Sequence, residues 1–297
     1  MIPSPFDYVA PNSLDEAIAV LGEHNGEAKI LSGGQSLIPM LKLRLAAPTV
    51  LVDINRIEGL DYVEERDGAL RIGALAREHD LEASATVRAK YPILFDTARV
   101  IADPLVRNTA TVCGNVAHGD PGNDHPATMI ALGASFTARG PNGTRSIPAR
   151  EFFKGLFETA LAADEIVTEI VIPAPPARSG GAYLKLERKV GDFATAAVAV
   201  QITLDARNAV TRVGIALTNV GATPIAATDA ESFLAGKTLD DATIADAARR
   251  AAAAADPFED RRGTPEYKRD IVRVLTARAL RLAAQRAQGL APSAGRA

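Results

Sequence analysis

Ile30-Leu31-Ser32-Gly33-Gly34-Gln35-Ser36 breaks an apolar run with two glycines flanked by serines. Ala28 to Leu31 is a short strand candidate, and Leu37 to Leu45 carries apolar residues at near-helical spacing, so the glycines stand where a strand hands over to a helix. Glycine has no Cβ, and a diphosphate can therefore approach its amide closely. Successive N–H groups in such a turn form a concavity of partial positive charge that suits an anion without a lysine. By itself a Gly-Gly turn is more often a tight turn and nothing more, so a ligand site needs a second element.

Around this turn the chain reads as a small α/β unit. Phe6 to Val9 is an opening strand candidate. Ser13 with Glu16 makes a capping box ahead of an amphipathic helix ending near Gly26, and Thr49 to Ile54 is a buried strand by its β-branched run. Asn55 to Gly59 closes a first subdomain at about residue 55. A second, over 56–176, opens with a hairpin of Tyr62–Glu65 and Ala69–Ile72 through Asp67-Gly68, the favoured two-residue turn. Helices are expected over Ala76–Ser84, Pro92–Ile101 and Asp124–Leu132. Ala134–Ala138 and Arg145–Pro148 form another hairpin, and Glu165–Ile172 is a closing strand. Pro173-Ala174-Pro175-Pro176 is donor-poor and extended, which marks the start of a C-terminal unit over 177–290. There, Tyr183–Arg188, Ala196–Leu204 and Val210–Leu217 predict a three-stranded antiparallel sheet. Helices follow at Asp229–Leu234, Asp241–Ala254 and Lys268–Gln285, with a frayed tail from Gly289.

The second element lies about 80 residues beyond the first. Arg107 to Val112 leads into another backbone-exposing turn, Cys113-Gly114-Asn115, read like the first as following a strand. Two such turns can clasp a long two-phosphate ligand from both sides. Ser32-Gly33-Gly34-Gln35-Ser36 and Thr111-Val112-Cys113-Gly114-Asn115, with Asp124 and Gly191-Asp192-Phe193-Ala194-Thr195, resemble the FAD-binding medium subunit of the molybdenum hydroxylases, among them aerobic carbon monoxide dehydrogenases and xanthine dehydrogenase-like enzymes. The likeness covers nearly the whole chain. It implies an α+β protein: a flavin domain of the vanillyl-alcohol-oxidase or PCMH type, made of two α/β subdomains, with a separate C-terminal α+β domain.

The resemblance further implies an oxidoreductase subunit that takes electrons from 2Fe–2S clusters on a small subunit and passes them to an external acceptor. Molybdopterin would sit on a large subunit, in a dimer of heterotrimers. It assigns cofactor contacts to Ile30, Leu31, Ser32, Gly33, Gly34, Gln35, Ser36 and Leu37, and to Thr111, Val112, Cys113, Gly114 and Asn115. Asp124 falls on the flavin side, Ile101 on an apolar wall, Ile166 and Lys185 among later contacts, and Phe193 over the isoalloxazine ring. Covalent relatives carry histidine where Gln35 stands, so FAD is expected to be dissociable. Cys113 replaces the first glycine of the family's usual Thr-x-Gly-Gly-Asn.

Bulk properties narrow the alternatives. Of 297 residues 47% are hydrophobic, enough for more than one core, and the net charge of −3 gives no electrostatic case for nucleic acid. The N-terminus lacks a secretory signature, and no apolar run reaches the roughly 18 residues of a membrane span, so the expected location is cytoplasmic. Cys113 is the only cysteine, too few for an iron–sulfur cluster. Ser32 and Ser36 have no histidine–acid pair matched to them, and no catalytic residue is assigned. His118, Asp120, Asp124 and His125 are metal-ligand types packed into eight residues, yet the segment reads equally as turns with Asp124 capping a helix, and no metal is assigned. Lys185 is either a cofactor contact or part of a solvated strand face with Arg188 and Lys189; Phe193 could equally be a core aromatic. A free-standing FAD oxidoreductase and a flavin-free assembly protein remain as alternatives.

Overall fold

The computed structural model describes residues 2–290; residue 1 and residues 291–297, most of the expected tail, lie outside them. The first subdomain contains β1 (Asp7–Val9), α1 (Leu14–Glu23), β2 (Ala28–Leu31), α2 (Leu37–Leu43) and β3 (Val50–Asp53). Its sheet is parallel in the order β1–β3–β2, so Val50 and Val52 of the central strand are buried with Ala17, Ile18 and Leu21 of α1. Ser13 Oγ accepts the Glu16 amide as a cap should, but the Glu16 carboxylate takes the N–H of Asn12 rather than that of Ser13. Arg44, in the left-handed region at φ 56°, stops α2.

The second subdomain begins with β4 (Val63–Arg66) and β5 (Ala69–Gly73), joined by Asp67 and Gly68 at φ 54° and 72°, the signs a type I′ turn requires. Then come α3 (Glu78–Ala83), α4 (Ala85–Lys90), α5 (Pro92–Arg99), α6 (Pro104–Arg107), α7 (Val112–Ala117) and α8 (Asp124–Leu132). The unit ends with β6 (Ser135–Gly140), β7 (Gly143–Pro148), α9 (Ala149–Phe152), β8 (Phe153–Gly155), β9 (Glu158–Thr159) and β10 (Ile166–Pro173). Its main sheet runs β4–β5–β10–β6–β7 with every neighbouring pair antiparallel, so this half is α+β in itself rather than α/β. The short β8–β9 ribbon and α4 carry no sequence signal of their own. The second glycine-bearing segment does not follow a strand. It follows α6 and is the first turn of α7, where Thr111 Oγ1 accepts the Gly114 amide at 3.2 Å as an N-cap.

The C-terminal unit contains β11 (Ser179–Leu186), β12 (Ala196–Leu204), β13 (Val210–Thr218), β14 (Ile225–Ala226), α10 (Thr228–Leu234), α11 (Asp241–Ala254) and α12 (Pro265–Ala287). The sheet has four antiparallel strands, one more than expected, because the two-residue β14 pairs with β13. Helix α12 covers one face of this sheet, and α5 and α8 of the second subdomain press on the other. Both approaches need glycine. A Cβ on Gly180 would lie 2.2 Å from the Ala283 carbonyl oxygen, and one on Gly214 would lie 2.2 Å from that of Ala131. The C-terminal sheet is thereby fixed against α8, and β11 is carried to the edge of the site. Among the described residues no helix is long and apolar enough to cross a membrane.

Candidate functional site

A cleft of about 680 Å³ runs between the first two subdomains, and β11 with the turn after it closes one end. That volume lies in the upper part of the roughly 300–1,000 Å³ range of ligand pockets. Ile30, Ser32, Gly33, Gly34, Gln35, Ser36 and Leu37 line it, as do Thr111, Cys113, Gly114 and Asn115, together with Ile101, Asp124, Ile166, Lys185 and Phe193. Leu31 and Val112 do not. The Leu31 side chain lies instead beside Gly34, with Cδ1 3.1 Å from where a Cβ there would stand. Val112 is fully buried in the core, and its amide donates to the Ala76 carbonyl.

The two loops touch. A Cβ on Gly33 would lie 2.6 Å from the Thr109 carbonyl oxygen and 2.8 Å from the Thr111 nitrogen. Ser32 Oγ and Thr111 Oγ1 are 2.9 Å apart, and Gln35 Nε2 donates to Thr109 Oγ1 at 2.6 Å. Among the described residues, the amides of Gly33, Gly34, Gln35 and Ser36 find no acceptor in the protein. Four successive free donors on a cleft wall make an anion cradle. Opposite them, the buried Asn115 Oδ1 has no donor, which leaves an acceptor for a ligand hydroxyl. Cys113 fits without disturbing the turn, because its side chain is buried with Sγ 3.5 Å from the Gly73 carbonyl oxygen. Burial pushes its thiol pKa well above the ordinary value, so it stays an inert thiol.

At the closed end Asp124 begins α8, but Asn123 is the N-cap, and the Asp124 side chain turns into the protein instead of capping. Its Oδ1 accepts from Tyr183 at 2.6 Å, and its Oδ2 accepts from Lys185 at 2.9 Å. Lys185, with a side chain only 3% exposed, also donates to the Val100 carbonyl, so it is no solvated strand residue. Burial pushes the Asp124 pKa up, and Lys185 and Tyr183 partly reverse this. Burial, followed by the Asp124 charge, holds the Tyr183 phenol far above its ordinary range, so it remains a donor.

Beside this pair, Gly191 at φ 84° rests on Ala102, where a Cβ would lie 2.8 Å from the carbonyl oxygen. Asp192 accepts from Arg188, Arg262 and the Phe193 amide, bonds that hold its carboxyl below the usual range. Phe193 is thus presented 47% exposed at the mouth of the cleft, not buried in the core.

The four metal-type residues diverge. His125 is buried against Glu78, with Nε2 2.6 Å from Oε2; His118 packs on the Phe157 ring; Asp120 accepts the Gly122 amide; Asp124 is engaged as above. Among the described residues no three such groups converge on a metal position. His118 lies on the cleft wall, where burial, helped by Lys29 and opposed by Asp120, holds its pKa below 6.5. The fold therefore prefers the neutral ring, a contribution complete above about pH 6.5 and lost as pH falls through the folded value. His118→Gln should flatten the acid limb of the melting-temperature profile; a limb identical to that of the unmodified chain would refute this.

Residues without a sequence signal complete the cleft: Phe157, Glu158 and Thr159 from the β8–β9 ribbon, and Leu161 to Ala163 beyond it. Tyr183 could have been found, since it stands two residues from Lys185 on one strand and so shares its face.

Two touching loops beside a cleft of this volume, one of them with four free amides, make an α+β protein built to hold an anionic cofactor. The model of the FAD-binding domain in molybdopterin dehydrogenase matches residues 4–175, and that of the CO dehydrogenase flavoprotein C-terminal domain matches residues 181–283. The chain belongs to this family of FAD-binding oxidoreductase subunits. It is 46% identical to the carbon monoxide dehydrogenase medium chain of Hydrogenophaga pseudoflava, over 95% of this chain and 98% of the relative. With the corresponding medium chain of Afipia carboxidovorans identity is 43%, over 97% and 100%. A solved carbon monoxide dehydrogenase of H. pseudoflava lacking the Mo-pyranopterin moiety superposes with a TM-score of 0.92 at 47% identity, covering 95% of this chain and 98% of the other.

Proposed function

We propose that this chain is the electron-transfer subunit of a molybdenum hydroxylase: it holds FAD non-covalently, receives electrons from 2Fe–2S clusters on a small partner subunit and delivers them to an external acceptor. Molybdopterin and the oxidised substrate belong to a large partner subunit, in a dimer of heterotrimers. The observation that carries the reading is the run of free amides at Gly33 to Ser36, set against the second loop beside a cleft of about 680 Å³ that both loops line.

These residues fit FAD. The amides of the first loop and the Ser32 and Thr111 hydroxyls would hold the pyrophosphate, and Asn115 Oδ1 would be free to accept from a hydroxyl of the cofactor. Asp124, Lys185 and Phe193 would take the ring end. When bound, FAD supplies redox chemistry that side chains lack, and the protein orients it and tunes its surroundings. Lys185 places a buried cation there, while Asp124 and Tyr183 fix its direction. Gln35 has no ring nitrogen to bond the flavin covalently.

The purified chain should be yellow, and acid precipitation should leave the colour in the supernatant. Colour retained in the washed pellet would refute non-covalent binding, and a chain that takes up no FAD would leave the assembly-protein alternative. Native pull-down should recover an iron–sulfur subunit and a molybdopterin subunit; substrate turnover by the chain alone would favour a free-standing oxidoreductase.

A further inference from the structure

Behind the two loops, on the side away from the cleft, runs a continuous polar chain. Tyr8 Oη donates to Asp53 Oδ2 at 2.6 Å, and Asp53 Oδ1 accepts the Asn55 side-chain amide at 2.6 Å and its backbone N–H at 2.9 Å. Asn55 Nδ2 also donates to the Ser32 carbonyl at 2.9 Å, while Asn55 Oδ1 accepts from Arg77 Nη2 at 2.7 Å. Arg77 Nη1 then donates to the Thr109 carbonyl at 2.6 Å. The bridge spans the subdomains: Tyr8, Asp53 and Asn55 lie in the first, Arg77 and Thr109 in the second. Neither Asn55 nor Arg77 lines the cleft.

Three features make the bridge specific. Asp53 and the Ser32 carbonyl accept only, so the Asn55 amide must turn its nitrogen to them and its oxygen to Arg77. The Arg77 backbone is pinned as well, because Ala76 to Glu78 pairs antiparallel with Ala110 to Val112 and Asp80 takes the Arg77 N–H. In a planar trans peptide the C=O and the following N–H point oppositely, so drawing the Ser32 carbonyl back to Asn55 sends the Gly33 N–H the other way. Gly33 already rests on the Thr109–Thr111 backbone.

We propose that Arg77 and Asn55 are positioning residues that fix the separation of the two loops and the direction of the Ser32–Gly33 peptide before the cofactor arrives, so that the diphosphate meets a preformed grip; this rests on the FAD reading above. A planar fork that donates to two acceptors is needed for the bridge, and lysine cannot replace it. The Arg77 cation behind the loops also favours an anion, although the loop motifs contain no basic residue.

The test titrates the full chain, stripped of flavin, with FAD and separately with ADP, which carries the diphosphate without the flavin ring. Arg77→Met and Arg77→Lys should each bind both ligands about ten- to hundredfold more weakly than the unmodified chain, the range expected for lost charge-assisted hydrogen bonds. At saturation the visible spectrum and potential of bound FAD should be unchanged, because the ring end is untouched. Asn55→Ala, at an exposed position, breaks the same bridge if the arginine variants fail to fold, and should weaken FAD and ADP binding alike. Variants that bind FAD and ADP as tightly as the unmodified chain, or full recovery by Arg77→Lys, would overturn the positioning role. If the unmodified stripped chain binds no FAD, it is the cofactor reading that fails.

Discussion

Gly33→Ala should lower FAD affinity by about ten- to hundredfold, equivalent to the roughly 1–3 kcal/mol that overpacking a tight contact costs. The added methyl would sit 2.6 Å from the Thr109 carbonyl oxygen and 2.8 Å from the Ala110 Cα. Both are backbone atoms in a segment held by Arg77 and by the Glu78 amide, so no side chain can rotate away. The loops must part, and the amides from Gly33 to Ser36 then lose their register against Thr111 and Asn115. Gly22 is the control. In α1 a Cβ there meets nothing within 4 Å, so Gly22→Ala should leave FAD binding unchanged and stabilise the helix by about 0.5–1 kcal/mol. Equilibrium titration of the stripped chain decides this; equal FAD affinities for Gly33→Ala and Gly22→Ala would show that the loops do not act as a pair.

Lys185→Met should destabilise the chain by about 3–5 kcal/mol near neutral pH, the usual cost of removing one partner from a buried ion pair. Asp124 is 5% exposed and would keep only the Tyr183 hydrogen bond. The folded state already favours protonated Asp124 more than the unfolded chain does, and loss of the ammonium strengthens this bias. For an acid with a raised folded pKa, stability is fully present below the unfolded value and lost as pH rises through the folded one. The deficit of Lys185→Met should therefore shrink as pH falls toward the unfolded aspartate value of about 3.9. Asp124→Asn combined with Lys185→Met should recover part of the loss, since the stranded Asp124 charge is removed, and only part because Glu187 Oε2 also loses its Lys185 partner at 3.5 Å. Denaturant unfolding across pH measures both, and a deficit independent of pH would contradict a charge-based cause.

What the sequence made legible is local chemistry. Asp67-Gly68 forms its turn because only certain residues accept positive φ at both positions, and Ser13 caps α1 because its oxygen reaches an amide three residues on. The first loop is equally plain, glycine being required where Gly33 meets a neighbouring backbone. Thr109-Ala110-Thr111-Val112 misleads because β-branched residues suit strands, whereas here Thr111 uses its hydroxyl to start α7. Lys185 and Phe193 show a second kind of limit: whether a lysine on a strand meets water or a buried carboxylate depends on which face another domain covers, and the covering helix α8 lies over fifty residues away. Arg77 and Asn55 leave no trace in any motif, because the Thr109 and Ser32 carbonyl groups that they hold reach them only by folding.

One diphosphate held by the free amides of Gly33 to Ser36, with the Thr111 hydroxyl of the second loop beside them, is what the account rests on, and amide hydrogen exchange on the full chain with and without FAD reads those amides directly. Exchange at Gly33 to Ser36 should slow on adding FAD, with the Gly191–Phe193 turn following. Saturating FAD binding that leaves Gly33 to Ser36 exchanging as fast as before would contradict the account.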